Sequence, residues 1–91
     1  MKRMRLDKYL KVSRLIKRRT LAKEVSDQGR IKINGNVAKA SSNVTIDDVL
    51  EVRLGQRVIT VKVTDLKEHA TKDNAKSMFE VVSEEKIHAD E

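Results

Sequence analysis

The feature that most constrains the fold is a change of hydrophobic period at Gly29. Before it, apolar residues recur as on a helix; after it, they alternate as on a strand. At about 100° per residue, Leu6, Tyr9, Leu10, Val12, Ser13 and Ile16 share one arc, with Asp7, Lys8, Lys11 and Arg14 opposite. This predicts a helix from Arg5 to about Val12, with Asp7 in the first turn, where a negative charge suits the helix dipole. Ser13–Arg18 reads as a turn, because a continued helix would expose Leu15 among bases. A second helix is predicted from about Arg19 to Gln28, with Leu21, Ala22 and Val25 as its buried stripe and Arg19 and Lys23 on the opposite face. Its capping signal is poor, with Thr20 as the only help. Gly29 ends it, because glycine enters the left-handed region without steric cost.

Beyond Gly29, Ile31 and Ile33 alternate with Arg30 and Lys32, and Asn34-Gly35 is a strong hairpin signal, with Val37 and Lys39 continuing past it. Strands follow at Val49–Leu54, with Leu50, Val52 and Leu54 inward, and at Val58–Val63, with Ile59, Val61 and Val63 inward. Gly55-Gln56 forms the two-residue turn between them. Asp73–Ser77 reads as a helical turn and Met78–Val82 as a last short strand. Ser83–Glu91 is acidic and aperiodic, as expected of a disordered tail. The predicted fold class is α+β: two short N-terminal helices packed on a small antiparallel sheet. The expected division is a domain over 5–65, an extension over 66–82 and the tail over 83–91.

Residues 1–40 hold thirteen Lys or Arg against three acids, or +10, while residues 41–91 hold seven against eleven, or −4, summing to the +6 of the whole chain. Such asymmetry marks a partner for a polyanion. The absence of cysteine removes disulfides, thiolate zinc sites and thiol nucleophiles. His69 and His88 lack ligand spacing and read as surface residues, and Asp47-Asp48 reads as a turn. The glycines match no nucleotide-binding loop. No nucleophile stands with a base, so the chain reads as a binding protein without metal or cofactor, not an enzyme. No apolar run suggests a membrane span or signal peptide, so the expected location is the cytoplasm.

The phosphate partners on offer are Lys8, Lys11, Arg14, Lys17, Arg18, Arg19, Lys23, Arg30, Lys32 and Lys39. Tyr9 and Phe79, the only aromatic residues, fall on predicted core faces, so no base-stacking platform is expected. Recognition through phosphates, ribose hydroxyls and shape favours structured RNA. Double-stranded DNA is the alternative, with two helices and a turn entering a major groove.

The run Arg5-Leu6-Asp7-Lys8-Tyr9-Leu10, with Arg14, Arg19, Leu21-Ala22, Gly29-Arg30-Ile31 and Ile33-Asn34-Gly35, resembles the RNA-binding domain of small-subunit ribosomal protein four, the S-four domain or αL motif. Within that family, Arg5–Val25 is similar to the stand-alone proteins of bacterial ribosome-associated quality control, the RqcP or YabO group. The resemblance implies large-subunit rRNA and peptidyl-tRNA as ligands, with RqcH as partner in alanine tailing of a stalled chain. The related heat-shock branch implies recycling of tRNA on aborted subunits instead. A catalytic partner domain is not expected, and the free protein is expected to be a monomer. By position the resemblance implies RNA contacts at Arg5, Lys8, Arg14, Arg19 and Lys23; charge and placement add Lys11, Arg18, Arg30, Lys32 and Lys39. Asp7 is expected to orient a neighbouring arginine. Arg5 and Arg19 are expected to be exposed, to matter little to the fold, and to supplement the amide donors of the two helix starts.

Overall fold

The computed structural model of the protein describes residues 3–86 of the 91. Helix α1 spans Leu6–Val12 and α2 spans Arg19–Asp27. Neither start carries a side-chain cap. At α1 the backbone substitutes: the Leu6 and Asp7 amides donate to the carbonyls of Ser42 (2.7 Å) and Ala40 (3.2 Å). Both helices end by the same device, a C′ residue in the left-handed region whose amide turns back onto the last turn. In α2 that residue is Gly29, at φ +77°: its amide donates to Ser26, and the Arg30 amide donates to Val25. In α1 it is Arg14, at φ +64°, donating to Lys11. Left-handed backbone costs a residue with a Cβ on the order of 1–2 kcal/mol.

The buried face of α1 is the predicted one, with Leu6, Tyr9 and Leu10 fully covered. In α2 the predicted stripe is displaced. Leu21 is 45% exposed, and Ser26 is buried beside Ala22 and Val25, with its hydroxyl donating to the Ala22 carbonyl at 2.7 Å. The physical reason is angular: Ala22, Val25 and Ser26 occupy one arc of about 100°, and Leu21 lies beyond its edge. A buried serine that satisfies its hydroxyl within its own helix serves as a small residue at the helix contact.

The strands are β1 Met4–Arg5, β2 Ile31–Ile33, β3 Asn36–Val37, β4 Asn43–Val44, β5 Val49–Leu54, β6 Arg57–Val63 and β7 Phe79–Lys86. All but two form an antiparallel sheet in the order β3-β2-β5-β6-β7. The remaining pair, β1 and β4, is a two-stranded ribbon that periodicity did not predict, being too short to show any. Asn34 and Gly35 both take positive φ, as a type I′ turn demands. Asn34 does more than turn. Its side chain accepts from the Val49 amide and donates to Asp48, clipping the hairpin to the start of β5. Asp48 also accepts from the Thr45 amide at 2.9 Å, so the adjacent acids are a turn, as read from the sequence.

The segment after β6 crosses back through α3, Lys72–Ala75, and a 3-10 turn, Lys76–Met78. Thr71 caps α3 by accepting from the Asn74 amide. Met78 belongs to this turn, so the last strand begins one residue later than predicted and is longer. Ser83–Lys86, expected to lie in a disordered tail, pair with β6 back to Arg57. An antiparallel neighbour that runs on to Arg57 supplies backbone partners whatever the side-chain pattern, and Arg57 pairs with Glu84. The rest of the predicted tail, with His88, lies outside the described residues.

The core joins α1 to the inner face of β2, β5 and β6 through Ile31, Leu50, Val52, Val61 and Val63, and is closed below by Leu66 and Met78. Tyr9 is buried among them, and its hydroxyl donates to the Met78 carbonyl at 2.7 Å. Burial, with the nearby charge of Asp65, pushes the phenol pKa far above its ordinary value, so Tyr9 remains a donor across the working pH range. Phe79, predicted in the core, is only partly covered. Two substitutions test this frame. Tyr9→Phe removes one of three donors to the Met78 carbonyl, which also accepts from the Thr64 and Asp65 amides, and is expected to cost about 0.5–1.5 kcal/mol, the net worth of one hydrogen bond. Gly29→Ala is expected to cost about 1–2 kcal/mol from φ alone. Each should lower the melting temperature by roughly 4–8 °C per kcal/mol; an unchanged melting temperature for Gly29→Ala would contradict the helix end described.

Candidate nucleic-acid interface

The basic half of the chain is organised around one carboxylate. Asp7, with its side chain 4% exposed, sits at the first turn of α1 and accepts from the Lys8 amide (2.8 Å) and from Arg5 Nε (3.2 Å) and Nη2 (3.3 Å). Arg19 Nε lies 3.6 Å from Oδ2, the oxygen that also accepts from Arg5 Nη2. Arg5 ends β1 and Arg19 begins α2, so one acid gathers the starts of both helices. The two arginine side chains remain about half exposed, at 52% and 50%. Arg5 spends its Nε–Nη2 edge on Asp7, Arg19 makes an ion pair with it without a hydrogen bond, and both keep exposed side-chain surface with further guanidinium donors for phosphate oxygens.

This arrangement pairs Asp7 with the arginines it is expected to orient, and it corrects three other expectations. Asp7 was placed among the polar residues opposite the buried face, yet it is covered, because β1 and α2 close over that side of the helix start. For the same reason Arg5 and Arg19 are not neutral to the fold: they neutralise a buried carboxylate, whose exposure to an apolar surround without partners is costly. The third correction concerns the amides at the start of α1. They donate to Ala40, Ser42 and the Asp7 side chain, so they are not open to a phosphate, whereas the Arg5 and Arg19 side chains stay half exposed.

The other predicted contacts distribute unevenly. Arg18 precedes α2 and Lys23 lies one turn beyond Arg19; both are exposed beside the Asp7 cluster. Lys8 donates to Glu68, sixty residues away, at 2.7 Å, and Lys32 lies 3.9 Å from Glu51 across the β2–β5 pair. Arg30, entering β2, and Lys39, between β3 and β4, are exposed and have no ion pair among the described residues. Lys11 and Arg14 lie at the far end of α1. There they join Lys17 and Lys76 around a cleft of about 690 Å³ between that helix end and the segment leading into β7. Lys76 and Phe79, which also lines the cleft, were not singled out for this face by sequence reasoning, since sixty residues separate them from α1 and no local pattern links the two. Among the described residues, no group of three or more His, Asp or Glu is arranged to hold a metal ion.

Fold and charge together define a small RNA-binding domain of the helix–helix–hairpin type, and the family model of the S4 domain matches residues 4–50. The chain is 63% identical over 84 residues to the RQC P-site tRNA stabilizing factor of Bacillus subtilis (strain 168), covering 92% of this chain and 98% of that one. It is 58% identical over 88 residues to the protein of the same name from Halalkalibacterium halodurans, covering 97% and 100%. A trimeric structure of Vibrio cholerae heat shock protein 15 superposes with a TM-score of 0.83 at 26% identity, over 90% of this chain and 84% of that one. The chain belongs to the family of RQC P-site tRNA stabilizing factors, built on an RNA-binding S4 domain.

Asp7→Asn separates orientation from net charge. It raises the net charge from +6 to +6 + 1 = +7, which by itself favours a polyanion. If Asp7 aims the arginines, the variant binds structured RNA several-fold more weakly and loses about 1–3 kcal/mol of stability. Fluorescence anisotropy with a labelled tRNA, alongside thermal melting, reads both. Equal or tighter binding by a folded variant would remove the orienting role.

Proposed function

We propose that the protein is a binding factor, not an enzyme, of ribosome-associated quality control in the bacterial cytoplasm. It holds peptidyl-tRNA and the adjoining rRNA on a stalled large subunit while RqcH directs alanine tailing of the nascent chain, and it is a monomer when free. The observation that carries this reading is the Asp7 bracket, which holds two half-exposed arginines at the starts of adjacent helices. Membership in a family whose curated members are named for stabilizing P-site tRNA supports the choice of RNA.

Arg5, Arg18, Arg19 and Lys23 form the centre of the RNA surface, with Lys11, Arg14, Arg30 and Lys39 flanking it. Lys8 and Lys32 contribute only by giving up an acid partner, a small cost for exposed pairs. Residues 5–65 carry the RNA-binding domain, and 66–82 brace it. A second reading, recycling of tRNA on aborted subunits without tail synthesis, is favoured by the likeness to heat shock protein 15.

Sedimentation of cell lysate tests both. The protein is expected to travel with free large subunits; co-migration with chromosomal DNA would favour the DNA-binding alternative. RqcH in the same fraction supports the tailing role, and its absence supports recycling. Contact with about 5–8 phosphates predicts a slope of log K against log salt near −4 to −7. A flat salt dependence would overturn a phosphate-led interface.

A further inference from the structure

We infer that the cleft at the far end of α1 holds one unpaired RNA nucleotide, its base against Phe79 and its phosphates on the surrounding cations. This rests on the RNA-binding reading above and adds a site distinct from the Asp7 bracket.

Three observations carry it. The first is the composition of the cleft. Its lining combines apolar Val12, Ala70, Ala75 and Phe79 with four cations, Lys11, Arg14, Lys17 and Lys76, and Ser13 and His69 complete it beside Glu68. The acid that also lines it, Glu68, receives Lys8 at 2.7 Å. Its volume, about 690 Å³, falls within the range of small-molecule sites, roughly 300–1,000 Å³. A recess lined by apolar and cationic side chains matches a nucleotide, which joins an apolar π face to an anion. A base-paired helix fits poorly, because its phosphates stand outside its bases and would keep them from the apolar lining.

The second observation is the exposure of Phe79. One of only two aromatic residues in the chain, it opens β7 and is only partly covered, while Tyr9 is fully buried. A ring that served packing alone would gain by complete burial; this one also lines the recess. Phe79 packs against the core with one part of its surface, as the sequence predicts, and the proposed base would meet the part left open to the recess. The third is Arg14, held at φ +64° at the border of the same cleft. Glycine fills the equivalent helix-ending position in α2, at Gly29. An arginine kept in a conformation that favours glycine, beside three other cations, is strain located at a binding surface.

The test uses the full chain with isotope-labelled alanine methyls and phenylalanine ring. The probes are the trinucleotide UpUpU and the same trinucleotide with an abasic central residue. Saturable shifts of Ala70, Ala75 and Phe79 with UpUpU are expected, with affinity at least about 5-fold weaker for the abasic probe, the lower range of base–aromatic stacking. Ala70→Leu fills the recess without removing a cation, and Phe79→Leu keeps apolar bulk without the ring. Each, with its native melting transition verified, is expected to bind UpUpU at least about 5-fold more weakly. Equal affinity for the two probes, or wild-type binding by either folded variant, would overturn the site. Co-sedimentation with large subunits is read in parallel. A wild-type protein that sediments with them but shows no cleft shifts refutes the nucleotide site and leaves the ribosomal role. Cleft shifts without co-sedimentation support the site and refute that role.

Discussion

The carboxylate of Asp7 lies where β1, α1 and α2 meet, and the geometry of the basic face follows from how it is satisfied. A charge so covered needs partners close at hand. It finds one in the backbone of its own helix and two in arginines from neighbouring elements. Each arginine is thereby held at a definite angle with half its surface outward. Freely moving arginines would lose more rotamer entropy on meeting phosphate. Stability and the proposed contact with RNA draw on the same three side chains.

Around that point the chain supports α1 from both ends. At the start, Ala40 and Ser42 take the place of a capping side chain. Along its length, the segment after β6 reaches back, with Met78 accepting from Tyr9 and Glu68 receiving Lys8. These contacts join residues some sixty to seventy apart in sequence. They make the segment after β6 part of the platform for the basic face, and both pieces line the recess at the end of α1.

The two halves of the chain treat charge differently. In the second half, cations meet acids at close range: Arg57 with Glu84, Lys62 with Asp47, Lys67 with Asp65. Exposed pairs of this kind add little stability, but they cancel field locally. The first half keeps its surplus, carried mostly by residues that flank and connect the helices, such as Arg5, Arg14, Lys17, Arg18 and Arg30, and this favours a polyanion. The edge strand β7 carries Glu80, Glu84 and Glu85 around the exposed Val81 and Val82. Charges on an exposed edge discourage pairing with another sheet.

Local chemistry determined much of this molecule. The period change at Gly29, the Asn34-Gly35 turn, the two-residue turn at Gly55 and the buried face of α1 depend on neighbours within a few residues, and all were legible in the sequence. So was the basic half, because charge is counted without knowing the fold. Tertiary structure decided the rest. Leu21 yielded its place to Ser26 because the contact arc of α2 is set by what packs against it. The β1–β4 ribbon and the pairing of Ser83–Lys86 exist because distant backbone offered partners. Arg5 and Arg19, alike in sequence as exposed bases, became a matched pair only when Asp7 was buried between them. Lys17, Lys76 and Phe79 came to share a cleft by the same means. Spacing along a chain encodes which face a residue takes on its own element, whereas burial, pairing and convergence depend on elements brought together by folding.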